Sequence, residues 1–163
     1  MKSLIIFYSY EGNCRLVADW IRTITDSDVL ELIPVDNRQR SGLSKYFWGG
    51  KQVVRNMEPE LLDYNVQLSD YDLIFIGTPV WAGGFAPALN TFFAKTAVQG
   101  KKIALFCCHG GGKGKVFDKM KARLEGNSFI GELDLLTPAW KNTEQMYEKV
   151  VNWIEKLSEV NAS

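Results

Sequence analysis

The stretch Tyr8-Ser9-Tyr10-Glu11-Gly12-Asn13-Cys14 decides the fold, because it joins a continuously apolar run to a strongly patterned helix. The preceding run, Leu4-Ile5-Ile6-Phe7, is typical of a central strand that is covered on both faces. A buried strand that turns directly into a helix exposes the first amides of that helix, which lack intrahelical acceptors and carry partial positive charge. The stretch therefore predicts a phosphate-binding site.

Three residues within this stretch suit contact with a phosphate. Ser9 offers a hydroxyl donor, Asn13 an amide donor, and Gly12 a backbone without a Cβ that would block close approach. We expect the Glu11 side chain to point to solvent, since a carboxylate repels phosphate, and we expect Cys14 to be a weak donor. An ordinary strand-to-helix turn is the alternative interpretation of the same residues.

The composition fits one globular domain whose positive and negative charges balance. Of the 163 residues, 46% are hydrophobic and 23% are charged, and 19 Lys+Arg balance 19 Asp+Glu. These values predict a single domain over residues 1–163 and no overall field that attracts nucleic acid. No apolar run approaches the roughly 20 residues of a transmembrane segment, and the N-terminus is not a signal peptide. We therefore expect a cytoplasmic protein.

The cysteines and the histidine form no recognisable metal or nucleophile motif. Cys14, Cys107 and Cys108 lack C-x-x-C spacing, so neither a disulfide framework nor a zinc site is indicated. His109 is the single histidine, which leaves a catalytic Cys/His or Ser/His arrangement with little support. We accordingly assign no catalytic residue and no metal ligand.

Strand and helix patterns alternate five times along the chain. After the first strand and helix, the sequence predicts strands at 29–33, 71–77, 102–108 and 132–136 and helices that follow 84, 114 and 141. This alternation predicts an α/β fold with a parallel sheet and helices on both faces. A ligand is expected outside the carboxyl ends of the strands, where the strand order reverses.

The segment 36–59, between the second and third strands, is locally basic and carries an aromatic cluster at 46–48. Its apolar residues predict a short helix that covers the sheet edge or flanks a ligand. The alternative is an exposed interaction surface for a subunit, a partner or a membrane. That alternative leaves open a protein that only binds a partner and performs no chemistry.

Two further loops carry motifs at strand ends. The first is Thr78-Pro79-Val80-Trp81-Ala82-Gly83, and the second is Cys108-His109-Gly110-Gly111-Gly112. The glycines do not form a nucleotide P-loop, because Val116 stands where a Ser or Thr would bind magnesium. Trp81 offers a flat apolar face on which an aromatic ring can stack. A core position for Trp81 is the alternative.

These motifs resemble those of the flavodoxin family. Its first loop follows a Ser/Thr-x-Thr-Gly-Asn-Thr pattern around FMN phosphate, which the chain matches at Ser9, Gly12 and Asn13 but not at Glu11 and Cys14. The Asp-x-Ile-x-x-Gly-x-Pro-x-Trp arrangement at 72–81 resembles the second flavin loop of small bacterial flavodoxin-like proteins. The resemblance implies a doubly wound, five-stranded parallel sheet with the strand order of flavodoxin itself, 2-1-3-4-5.

The resemblance also implies FMN as the cofactor, bound by three loops. The first loop would hold the phosphate, Trp81 and either Tyr10 or an aromatic from 46–48 would flank the ring, and the third loop would border its pyrimidine edge. The residues expected to bind FMN are Ser9, Tyr10, Glu11, Gly12, Asn13, Cys14, Thr78, Pro79, Val80, Trp81, Ala82, Gly83, Cys108, His109, Gly110, Gly111 and Gly112.

Two features favour a reductase over an electron carrier. In carrier flavodoxins a glycine beside the ring allows a peptide to flip and stabilise the semiquinone, whereas Ala82 follows Trp81 here; positive φ at a non-glycine residue costs roughly 1 to 2 kcal/mol. The chain also lacks the acidic excess of carriers. We expect reduction of a small acceptor such as a quinone with NAD(P)H. Gly83 keeps open the alternative, one-electron transfer to a redox protein, and the reductase branch includes many homodimers.

Overall fold

The computed structural model describes residues 1–36 and 57–162. The prediction of a helix or an interaction surface in segment 36–59 falls mainly on 37–56, outside the described residues. In chain order the elements are β1 (Ser3–Phe7), α1 (Asn13–Thr25), β2 (Asp28–Glu31), β3 (Leu73–Trp81), β4 (Gly84–Phe85), α2 (Pro87–Lys95), β5 (Lys102–His109), α3 (Val116–Arg123), β6 (Ser128–Leu136) and α4 (Thr143–Ala162).

Five parallel strands form the main sheet, in the order β2-β1-β3-β5-β6. When only the parallel strands are counted, this order is 2-1-3-4-5, so the predicted fold class is confirmed. The short strand β4 is an addition that pairs antiparallel with β3. From β1 the chain adds β2 on one side of the sheet and then β3, β5 and β6 on the other, so the strand order reverses between β1 and β3. A ligand in such a fold lies at the carboxyl ends of these two strands.

Helices cover both faces of the sheet. On one face, Ile6 and Ile76 pack in a cluster with Phe92 of α2 and Met120 of α3. On the other face, the cluster includes Phe7, Phe75 and Phe106 together with residues of α1 and α4. Successive side chains of a strand point to opposite faces, so the continuously apolar strands supply both layers. Each fully buried large side chain contributes roughly 1.5 to 3 kcal/mol.

Strand β3 extends beyond the predicted strand 71–77. The prediction of a loop that begins at Thr78 is wrong, because β3 continues to Trp81 and returns as β4. The connection is the two-residue turn Ala82-Gly83, in which both residues have positive φ, 48° and 70°. Positive φ at both central positions is typical of a type I′ hairpin turn.

The edge strand β6 is also longer than the predicted 132–136, because it begins at Ser128. A glycine in its interior, Gly131, lies under α4: a Cβ there would be 2.6 Å from Leu157 and 2.9 Å from the indole nitrogen of Trp153. The glycine therefore permits close packing of the last helix on the strand. Within the described residues, no helix combines the length and apolar character needed to cross a membrane.

Candidate functional site

A cavity of about 430 Å³ lies at the carboxyl ends of the parallel strands. Its volume falls within the range of roughly 300 to 1,000 Å³ that is typical of small-molecule and cofactor pockets. Four loops contribute to its wall: the first loop (8–14), the second loop (78–83), the third loop (109–114) and a fourth loop (137–142). The lining residues are Ser9, Tyr10, Glu11, Asn13, Cys14, Pro79, Val80, Trp81, Ala82, Cys108, His109, Gly110, Leu136, Thr137, Trp140 and Lys141.

The first loop presents helix amides to this cavity. Helix α1 begins at Asn13. Its N-cap is Gly12, which has φ 93° and has no side chain that could accept a hydrogen bond from the first amides. The Ser9 hydroxyl oxygen accepts a hydrogen bond from the N–H of Arg15 at 3.2 Å. The first turn contains no acidic residue. The amides that precede Arg15 in the helix therefore keep their partial positive charge for an anion.

Asn13 connects the first loop to the fourth. Its side-chain oxygen accepts a hydrogen bond from the N–H of Ala139 at 2.9 Å, and the residue is buried. This bond fixes the orientation of the amide and leaves the NH₂ group as its donor. The expected amide donor at the phosphate site is thus also a structural link between two loops.

Trp81 forms an aromatic wall of the cavity. Its ring makes edge contacts with Tyr8 and Tyr10, with centroids 5.5 and 5.6 Å apart. The residue is half-buried and also lines the cavity. Part of its ring packs in the protein, as in the alternative of a core position, and part of it faces the space for a ligand. Two perpendicular neighbours restrict rotation of the indole, which gives a ligand a fixed apolar surface.

Two cysteines line the cavity without adding charge. The Cys108 thiol lies within hydrogen-bonding reach of Cys14, and this contact together with burial raises the pKa of Cys108 well above its usual range. Cys108 therefore stays a neutral thiol, which does not repel an anion. Cys107 points to the other side of the sheet and is also a free thiol.

His109 carries an unused polar atom. Its Nε2 forms a 2.9 Å hydrogen bond with a carboxylate oxygen of Asp134, and this bond holds the pKa of Asp134 below its usual range. Its buried Nδ1 has no hydrogen-bond partner in the described structure. Because this atom is buried although the cavity is open to solvent, His109 borders the cavity through other atoms.

Five of the expected residues do not line the cavity. The buried Thr78 hydroxyl instead accepts a hydrogen bond from Ala86 N–H at 2.9 Å, because β3 continues through this position. Gly12 acts as the helix N-cap, Gly83 lies in the hairpin turn, and the exposed third-loop glycines have open space around them. The residues concerned are Gly12, Thr78, Gly83, Gly111 and Gly112.

The fourth loop and the end of β6 also line the cavity, although no residue there was predicted to bind a ligand. Leu136, Thr137, Trp140 and Lys141 line the cavity, and Trp140 is 60% exposed. One sequence signal could have identified this loop: Thr-Pro-Ala-Trp at 137–140 repeats the Thr-Pro-Val-Trp pattern at 78–81. The copy at 78–81 ends β3, the copy at 137–140 follows β6, and both reach the same cavity.

The chemistry of this cavity fits FMN. The amides at the start of α1 suit the phosphate, and a fixed indole face suits the aromatic ring system. The neutral thiol of Cys108 adds no negative charge to the cavity.

Solved structures share this fold over nearly their whole length. A flavoprotein from Lactobacillus acidophilus NCFM, solved in complex with FMN, is 24% identical; the match covers 93% of this chain and 97% of that one, with a TM-score of 0.73. A protein from Bacteroides eggerthii DSM 20697, assigned as a flavoprotein, is 18% identical over 96% and 98% of the chains, with a TM-score of 0.80. Two-electron reduced flavodoxin from Megasphaera elsdenii is 18% identical over 91% and 94%, with a TM-score of 0.59.

A family model provides the sequence-level evidence. No curated protein matches the chain, but the model described as Flavodoxin matches residues 2–157. This range includes the first three loops, the fourth loop and most of α4. The chain therefore belongs to the flavodoxin family, the family of FMN-binding proteins that its sequence motifs indicated.

Proposed function

We propose that residues 1–163 form a single-domain, FMN-binding oxidoreductase that reduces a small acceptor such as a quinone with NAD(P)H. FMN supplies electron transfer when it is bound, and the protein holds and orients it. The cavity supports this proposal because the amides at the start of α1 and an aromatic wall meet there.

The start of α1 would hold the phosphate of FMN. The amides that precede Arg15 have no side-chain cap, and the first turn contains no acid. The side chain of Asn13 keeps its NH₂ group as a donor. Glu11 is exposed, so its backbone can face the cavity while its carboxylate stays in solvent. These features give a site for a dianion without requiring a basic side chain in the first loop.

Trp81 and His109 would position the ring system. The indole is fixed by Tyr8 and Tyr10 and offers a stacking surface worth roughly 1 kcal/mol beyond its buried area. His109 is held by Asp134 and borders the cavity, so it limits the space open to the ring. A fixed apolar face and a fixed border together orient a planar ligand.

The turn at Ala82 is the observation that favours two-electron chemistry. Rotation of the peptide between the residues of a type I′ turn produces a type II′ turn, whose first central position favours glycine. Ala82 occupies that position and already has positive φ, 48°, so the expected cost of positive φ does not itself oppose the rotation. The rotation is opposed because it would move Ala82 into a φ/ψ region that is almost restricted to glycine. A one-electron-reduced flavin that is stabilised by such a rotation is therefore less stable with Ala82 than it would be with a glycine at this position.

Gly83 favours a second candidate function, one-electron transfer between redox proteins. It follows Ala82 in the same turn with φ 70°, and no atom lies within 4 Å of a Cβ built there. The turn therefore has space to rearrange at this residue. The shared fold of the Megasphaera elsdenii flavodoxin is also compatible with this role.

Reconstitution with FMN separates these candidates. The purified protein is loaded with FMN, mixed with NADH or NADPH and benzoquinone, and followed by absorbance; a parallel anaerobic titration with dithionite records the one-electron-reduced form. Nicotinamide oxidation with little of that form supports the reductase. A large one-electron-reduced fraction without nicotinamide oxidation supports the carrier, and failure to bind FMN overturns both.

A further inference from the structure

The fourth loop forms the cavity wall next to the proposed phosphate site. Thr137, Trp140 and Lys141 line the same cavity as the first loop. Ala139, which lies between them, donates its N–H to the side-chain oxygen of Asn13, the first residue of α1. The fourth loop therefore contacts the first turn of the helix whose amides would hold the phosphate.

Hydrogen bonds hold the fourth loop in a defined conformation. The N–H of Thr137 donates to the carbonyl of His109 at 2.9 Å, and the N–H groups of Trp140 and Lys141 both donate to the carbonyl of Thr137, at 3.0 and 3.1 Å. Thr137 and Asn142 have positive φ, 32° and 53°. Non-glycine residues hold this conformation at a cost, and such strain concentrates at functional sites.

Lys141 brings an unpaired positive charge to this wall. Its ammonium has no ion-pair partner within residues 1–36 and 57–162. Among the described residues that line the cavity, it is the one lysine or arginine. An ammonium beside the N-terminus of a helix adds to the attraction that the helix amides exert on an anion.

We propose that Lys141 pairs with the phosphate of the cofactor and makes the cavity selective for FMN over riboflavin. This inference rests on the proposed FMN binding. A lysine recognises phosphate as a point charge and adds a charge-assisted hydrogen bond. Riboflavin has the same ring and ribityl chain but no phosphate, so Lys141 contributes nothing to its affinity.

Flavin fluorescence titrations of the apoprotein with FMN and with riboflavin test this role. We expect Lys141→Met to raise the dissociation constant of FMN about tenfold, to leave that of riboflavin unchanged and to weaken the salt dependence of FMN binding. Lys141→Arg keeps the charge and is expected to bind FMN within about twofold of wild type.

Lys156→Met is the matched control, because it also removes one lysine charge. Lys156 is exposed and lies about 20 Å along α4 from the first turn of that helix. It is expected to change neither affinity. Equal losses of FMN and riboflavin affinity in Lys141→Met, or no loss, would overturn the role of Lys141 while FMN binding stands. Wild-type protein that binds neither flavin would overturn the proposed function as well.

Discussion

Gly83 and Gly114 pack backbone against backbone, so that a Cβ on Gly114 would be 3.0 Å from the Cα of Gly83 and 3.4 Å from its carbonyl oxygen. Gly114 also has φ 54°, a conformation that favours glycine. The third loop thus supports the hairpin turn that follows Trp81. Any side chain at 114 must move that turn or the loop beneath it.

Gly114→Ala is expected to lower the free energy of unfolding by roughly 1 to 2 kcal/mol, since it combines a strained φ with a backbone clash. FMN affinity is expected to fall with it, because Trp81 and Ala82 line the cavity next to the displaced turn. Urea unfolding and flavin titration measure the two effects. Gly111→Ala is the control: nothing lies within 4 Å of its Cβ, and unchanged stability is expected there.

Ala82→Gly is expected to increase the one-electron-reduced fraction of bound FMN. Glycine adopts both type I′ and type II′ conformations at this position, whereas the second costs alanine roughly 1 to 3 kcal/mol because its φ/ψ region is almost restricted to glycine. An anaerobic reductive titration followed by absorbance measures the fraction. Ala97→Gly, at an exposed position outside the helices and strands, should leave it unchanged. An equal fraction in wild type and Ala82→Gly would show that the turn does not control this chemistry.

Asn13→Ala is expected to destabilise the protein by roughly 1 to 3 kcal/mol, because it leaves the N–H of Ala139 without its acceptor. The fourth loop then loses its contact with α1, so the affinities for FMN and riboflavin should both fall. The affinity for FMN should fall further, because the phosphate also loses the NH₂ donor of Asn13. Thermal unfolding and flavin titration provide the two measurements. The exposed Asn65→Ala is the comparison. A stable Asn13→Ala variant with wild-type affinities would contradict the link between the loops.

The bond between His109 and Asp134 predicts a pH dependence of stability. It lowers the pKa of Asp134 in the folded protein, so its contribution is fully present above the unfolded value of about 3.9 and disappears as the pH falls through the lower folded value. Asp134→Asn should therefore differ more from wild type in unfolding free energy at about pH 6 than at about pH 3. A difference that is constant with pH would contradict this assignment.

The parallel sheet was predictable because apolar strands alternate with amphipathic helices outside the long segment between β2 and β3. The errors concern places where tertiary contacts override local signals. Thr78 and Pro79 resemble the start of a loop, yet pairing with β5 keeps them in β3. Gly131 resembles a strand terminator, yet it accommodates the close approach of Trp153.

The cavity was predictable only where its residues form local motifs. The three predicted loops each combine a strand end with glycine, an aromatic residue or a helix start, and all three reach the cavity. The fourth loop also lies between a strand end and a helix start and carries Trp140, but none of the flavodoxin motifs that the chain matches covers it. Its place in the wall depends on the bond from Ala139 to Asn13, which no local pattern reveals.

The contact between Asn13 and Ala139 also constrains the order in which the site can assemble. It joins residues 126 positions apart, and contacts of such separation form only after the intervening chain has been organised, because closing a long loop costs entropy. A partly folded chain that has not yet docked β6 and α4 would lack this wall. Cofactor uptake during refolding should therefore coincide with the final folding step.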